Sequence, residues 1–190
     1  MTMPSLTPTS FSTGEEPEVI QLWVDALTSR KWAERHDART RLARLGDAAV
    51  GAVAELLEDP REQARWEAAK TLSDMNRVTA APALVRALTD EESFGVRWVA
   101  AEGLVRLGRD ALVPLFEALM RNPRSVYLRV GAHHVLIGAR RHGEEALAEP
   151  VLEALGSYSP RADLPLIARE ALIRLEDLIR LEEEHGGSAA

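Results

Sequence analysis

The chain predicts an all-α fold, an α-α superhelix or solenoid of about five stacked helical hairpins with a capping helix at each end. Three observations carry this expectation. First, Ala, Leu, Arg and Glu dominate the 190 residues while aromatics make up 5%, a bias toward strong helix formers. Second, Arg97, Ala100, Leu104 and Leu107 form a frame, Arg-x-x-Ala-x-x-x-Leu-x-x-Leu, that puts the alanine and both leucines on one side of a helix. Third, the frame recurs as Arg35, Ala38, Leu42, Leu45, as Arg65, Ala68, Leu72, Met75, and as Arg129, Ala132, Leu136, Ala139. The alanines are 30, 32 and 32 residues apart (68 − 38, 100 − 68, 132 − 100), and a period of this size signifies stacked helical repeats. A final copy keeps Ala168, Leu172 and Leu175 but has Pro165 where the arginine stood.

Taken in order, residues 1–13 are rich in Ser, Thr and Pro without periodicity and read as a disordered tail. One repeat domain is expected over 14–185, with a frayed tail at 186–190. A cap helix over 15–29 opens with acidic residues and Pro17 in its first turn and carries Val19, Ile20, Trp23, Ala26 and Leu27 on one face, a pattern that suits a helix start and an apolar stripe. The repeats then fall at about 31–58, 60–89, 91–121, 123–156 and 160–184. Each begins with an A helix that carries the frame, and a B helix follows.

Ala81-Pro82, Val113-Pro114 and Glu149-Pro150 read as B-helix openings, because a first-turn N–H has no intrahelical acceptor to lose. The first unit has Gly51 in that place. Asp47 and Asp110 are the expected B-helix N-caps, and Asp59-Pro60 and Asn122-Pro123 the expected A-helix starts. Gly46, Asn76 and Gly108 stand where an A helix should end in a left-handed residue. From Leu164 to Leu181 an apolar stripe outlasts an ordinary A helix, so this segment is expected to close the stack.

Several functions are disfavoured by composition. A net charge of −7 argues against a nucleic-acid partner, which a basic footprint would attract. The absence of cysteine removes disulfides, thiolate nucleophiles and cysteine-ligated metals. Neither a secretory pattern nor an apolar run of about 18 residues is visible, so a soluble cytoplasmic protein without a membrane partner is expected.

The Arg97-x-x-Ala100 pattern, the B-helix prolines and the inter-repeat Asp59-Pro60 together resemble short HEAT repeats, similar to those of phycobilisome lyases, over roughly residues 31–180. Tetratricopeptide repeats have a period of about 34 but lack the B-helix proline. The resemblance implies that Arg35, Arg65, Arg97 and Arg129 form a structural ladder along the stack, paired with acids or carbonyls at the inter-repeat turns. Asp59 and the Asp90/Glu91 pair are the matching acids, and the fourth unit offers only Asn122. It also implies B helices lining a concave face that binds another protein.

On that face Glu55, Arg86, Glu117 and Glu153 would make the polar contacts, and its mostly acidic character suits a partner with a basic surface. Trp66 and Trp98, directly after two rungs, are expected to fill repeat junctions, with partner binding favoured if the indoles face solvent. The expected function is a non-enzymatic scaffold or adaptor. The alternative, carried by the resemblance alone, is a bilin-lyase-like subunit or chaperone acting on a tetrapyrrole or its acceptor protein.

No catalytic residue, cofactor or metal is expected. His133 aligns with Ala69 and Ala101 near the packed face, and His134 with the exposed positions of Lys70 and Glu102; adjacent residues do not share a helix face. The His-Glu dipeptides of deoxyhypusine hydroxylase, another protein of HEAT-like repeats, are missing. No glycine-rich phosphate loop or Ser/His/Asp arrangement stands out.

Overall fold

The frame residues become the interior of a two-layered stack in a computed structural model that describes residues 16–157 and 160–186. Ten helices are present among these residues: α1 (Glu16–Ala26), α2 (Trp32–Leu45), α3 (Asp47–Glu55), α4 (Glu62–Met75), α5 (Ala81–Ala87), α6 (Phe94–Leu107), α7 (Leu112–Arg121), α8 (Val126–Arg141), α9 (Glu145–Gly156) and α10 (Pro160–Gly186). The expected tails at 1–13 and 187–190 lie outside the described residues, and Gly186 ends α10. Helices α2, α4, α6 and α8 pack successively into an A layer, and α3, α5, α7 and α9 belong to the B layer. The described residues form an all-α solenoid.

Ala38, Ala68, Ala100 and Ala132 are fully buried, as are Leu42, Leu72, Leu104 and Leu136. The alanines let neighbouring helices approach, and the leucines fill the space between layers. Glycine completes the fit at α8. A Cβ at Gly131 would lie 2.8 Å from the Leu88 side chain, and one at Gly138 would lie 2.8 Å from that of Val105, so a larger residue at either position would force its neighbour to shift. At the N-terminal end α1 packs on α2 and α3, burying Trp23 beneath the Arg41 guanidinium at 4.5 Å.

The turn chemistry is partly as expected. Gly46, Asn76 and Gly108 adopt positive φ of 59°, 48° and 60°. The N-caps differ. Ser93 and Ser125 cap α6 and α8 by accepting hydrogen bonds from the Val96 and Leu128 N–H groups. Asp59 is satisfied by Arg61, whose N–H and guanidinium both donate to it. Asp47 accepts from Thr79, and Asp110 falls within the 3₁₀ turn Gly108–Ala111. Pro82 lies in the first turn of α5, but Pro150 lies inside α9, which begins earlier at Glu145.

The fifth unit corrects the expected repeat order. Helix α10 packs against α7 and α9 rather than continuing the A layer beyond α8. Its Leu164, Ala168, Ala171 and Leu175 are buried, so the frame is used, but on the B helices. The aligned position of Glu67, two residues after the second rung, is Ile167 in this last copy. The copy therefore brings the apolar frame without the polar groups that join the earlier A helices.

Candidate protein-binding surfaces

The four ladder arginines occupy the same place in successive A helices, yet each is satisfied differently. Arg35 donates to the Ser29 carbonyl and to Glu67 at 2.8 Å, while Arg39, one turn later, donates to the other Glu67 oxygen at 2.6 Å. Glu67 is only 2% exposed, so two cations clamp one buried carboxylate. Arg65 bonds to Asp90 at 2.6 Å and Glu92 at 2.8 Å and to the Asp59 and Pro60 carbonyls. Arg97 donates to the Asp90 carbonyl and lies over the Tyr127 ring at 4.3 Å. The Glu67, Asp90, Glu92 and Tyr127 side-chain contacts tie one repeat to the next, whereas the carbonyl contacts hold each rung to the turn before its own helix. The expected acids are thereby revised: Glu67 serves the first rung instead of Asp59, and Glu92, itself largely exposed, joins Asp90 in place of Glu91. Arg129 meets no Asn122 contact, and its buried Nε has no hydrogen-bond partner among the described residues.

Burial alone would raise the Asp90 carboxyl, but Arg65 and the Ser93 and Glu92 N–H groups outweigh it and hold it below the ordinary aspartate value. The stability linked to a depressed carboxylate is fully present above its unfolded value, near 3.9, and is lost as pH falls through the folded value. Denaturation of the wild type and Asp90→Asn should therefore differ most near pH 7 and begin to converge below about pH 4. A gap that persists undiminished to pH 2 would contradict this role for Asp90.

The A layer also presents a surface that the alignment of rungs hides. Three residues before each rung stand Trp32, Glu62, Phe94 and Val126, and one residue after each rung stand His36, Trp66, Trp98 and Val130. These pairs are i, i+4 neighbours on a helix face. Trp32 stacks on His36 at 5.0 Å and Phe94 on Trp98 at 6.0 Å. Phe94 is 68% and Trp98 47% exposed. Trp98 also meets His134 at 4.9 Å, which is 2.7 Å from Glu102.

The two tryptophans, equivalent in sequence, thus differ in exposure. Trp66 is half-buried because its ring lies over Gly95, where an added Cβ would sit 3.4 Å away. One repeat later the position of Gly95 is taken by Tyr127, whose ring holds Arg97. Trp98 has no such bare backbone to lie on. Packing therefore accounts for Trp66, whereas Trp98 faces solvent. The expected exposure of the histidines is reversed: His133 is exposed and His134 is half-buried.

On the B layer Glu55, Arg86, Glu117 and Glu153 are all exposed, and three of them line two grooves. Arg86 and Glu117 line a groove between α5 and α7 with Pro82, Val85, Pro114 and Arg121. Glu153 lines a separate groove between α9 and α10, since α10 packs against both α7 and α9. The expected acidity also fails locally, because the α5–α7 groove sets Arg86 and Arg121 against the single carboxylate of Glu117. Among the described residues no group of three or more His, Asp or Glu could hold a metal ion, and no helix is long and apolar enough to cross a membrane.

Residues 20–105, from α1 to the last turns of α6, match the family described as HEAT repeats. No curated protein gives a significant match to the chain. The rung-and-frame pattern of the matched stretch continues through α8, with Arg129, Ala132 and Leu136 at the same offsets.

Proposed function

We propose, with the HEAT repeats as premise, that the protein is a non-enzymatic interaction scaffold that grips a partner protein through the aromatic patch of α6 and α8. The observation that carries this reading is the exposed Phe94–Trp98 stack bordered by Arg97 and Tyr127. Large aromatic rings exposed together on a rigid layer cost solvation without stabilising the fold, and Trp, Tyr and Arg are the residue types that dominate interface energetics. The A layer holds the rings in place through the rungs beneath them, so little ordering is needed on binding.

Trp98→Ala is expected to leave the melting temperature within a few degrees of wild type while weakening partner affinity by about 2 kcal/mol or more, roughly 30-fold. Affinity capture from the native host with wild type and Trp98→Ala, read by mass spectrometry and followed by titration of the proteins lost, checks this. Identical captured sets with identical affinities would contradict it.

The α5–α7 groove supports a second reading, in which Arg86, Glu117 and Arg121 rim an apolar floor. Loss of the partner with Arg86→Glu and Glu117→Arg, but not with Trp98→Ala, would place binding there. The bilin-lyase alternative rests on the resemblance of the repeats, and visible absorbance retained after incubation with bilin would favour it.

A further inference from the structure

The free edge of α8 repeats a feature that elsewhere in the stack holds a carboxylate. In α2, Arg35 and Arg39 stand four residues apart and clamp Glu67 of the following A helix. In α8 the same offsets carry Arg129 and His133, whereas the second and third A helices have Ala69 and Ala101 at the later position. Among the described residues no following A helix packs along α8, because α10 packs on α7 and α9 instead. Arg129 and His133 line a groove with Val126, Val130, Leu155 and Gly156. Val126 is 55% and Val130 66% exposed, and α8 itself, VYLRVGAHHVLIGARR, contains no acid.

The unsatisfied Nε of Arg129 is the second mark of an unfilled position, because a buried donor without an acceptor is uncommon in a native structure. A group meeting Arg129 must accept a hydrogen bond, the guanidinium charge favours an anion, and a ring N–H of His133 beside it can donate to the same group. The flanking valines favour an apolar surface beside it.

We propose that this edge docks an amphipathic helix of a partner protein that presents a carboxylate to Arg129 and His133 and an apolar face to Val126, Val130 and Leu155. The docked helix occupies the place that the next A helix would take, extending the solenoid in trans. This interface shares the scaffold reading and continues the Phe94–Trp98 column onto the next A helix, where Val126 and Val130 hold the equivalent positions; Phe94→Ala, which spares it, and Val130→Asp, which does not, tell the two apart.

The probe is a helix-stapled peptide of residues 62–75, the segment whose Glu67 fills the corresponding clamp in the first junction. Anisotropy titration against the full chain should show binding, with the Glu67→Gln peptide about tenfold weaker, as loss of a charge-assisted hydrogen bond implies. Protein carrying Arg129→Gln should bind both peptides equally, Val130→Asp should abolish binding, and Phe94→Ala should leave it unchanged. Val130 is exposed, so Val130→Asp should retain the wild-type circular dichroism and melt. Binding no tighter than a scrambled peptide, or a Glu67→Gln penalty that persists in the Arg129→Gln protein, would overturn the proposal. Sedimentation showing self-association that Val130→Asp reverses would overturn it in favour of a second copy on this edge.

Discussion

Phe116→Ala is expected to destabilise the protein by about 3–5 kcal/mol, the range for truncating a fully enclosed aromatic side chain. Phe116 is completely buried and is the largest of the fully buried side chains. It belongs to α7, which packs against both α5 and α10. A cavity opened there is therefore supported from more than one direction and can collapse only in part. For a chain of this size each kcal/mol corresponds to about 2–4 °C in Tm, so the melt should fall by roughly 10 °C or more. Coincident denaturant curves for mutant and parent would show that α10 does not close on α7 as described.

The second large effect is electrostatic. Arg65→Met should cost about 3–5 kcal/mol because it leaves a buried carboxylate without its cation. The side chains of Arg65 and Asp90 are 9% and 8% exposed, so solvent cannot readily replace the lost partner. The same change strips donors from the Asp59 and Pro60 carbonyls. Asp90 keeps the N–H groups of Ser93 and Glu92 at 2.8 and 3.0 Å, which limits the loss. Adding Asp90→Asn to Arg65→Met should then cost less than the two separate changes together, because the residues share one network. Strict additivity would mean that they do not interact.

The apolar frame was readable before the structure because burial of alanine and leucine follows from helical spacing alone. The positive-φ ends at Gly46, Asn76 and Gly108 were readable from glycine and asparagine at the helix ends, although only Asn76 is left-handed in both angles. Groups whose role depends on the next repeat were not. Glu67 looks like any helical surface acid until α2 brings two arginines to it from 32 and 28 residues away. Trp66 and Trp98 carry the same local signal and separate only through Gly95 and Tyr127 on the following helix. The column Trp32, Phe94, Val126, three residues before the rungs, was the available sign of an exposed stripe; alignment on the rungs alone passed over it.

Helix α10 shows the limit most clearly, because Ala168, Leu172 and Leu175 preserve the frame without specifying its neighbour. A frame states which face is buried. The rungs state which helix it is buried against. Arg129 marks where that second instruction stops, and its Nε remains unsatisfied.

Thermal melts of Arg65→Met and Arg129→Met, recorded side by side with wild type at pH 7, test this division directly. If rungs stabilise the stack by joining one repeat to the next, Arg65→Met loses several kcal/mol while Arg129→Met stays within about 0.5 kcal/mol of wild type or gains stability. Equal losses for the two variants would contradict it.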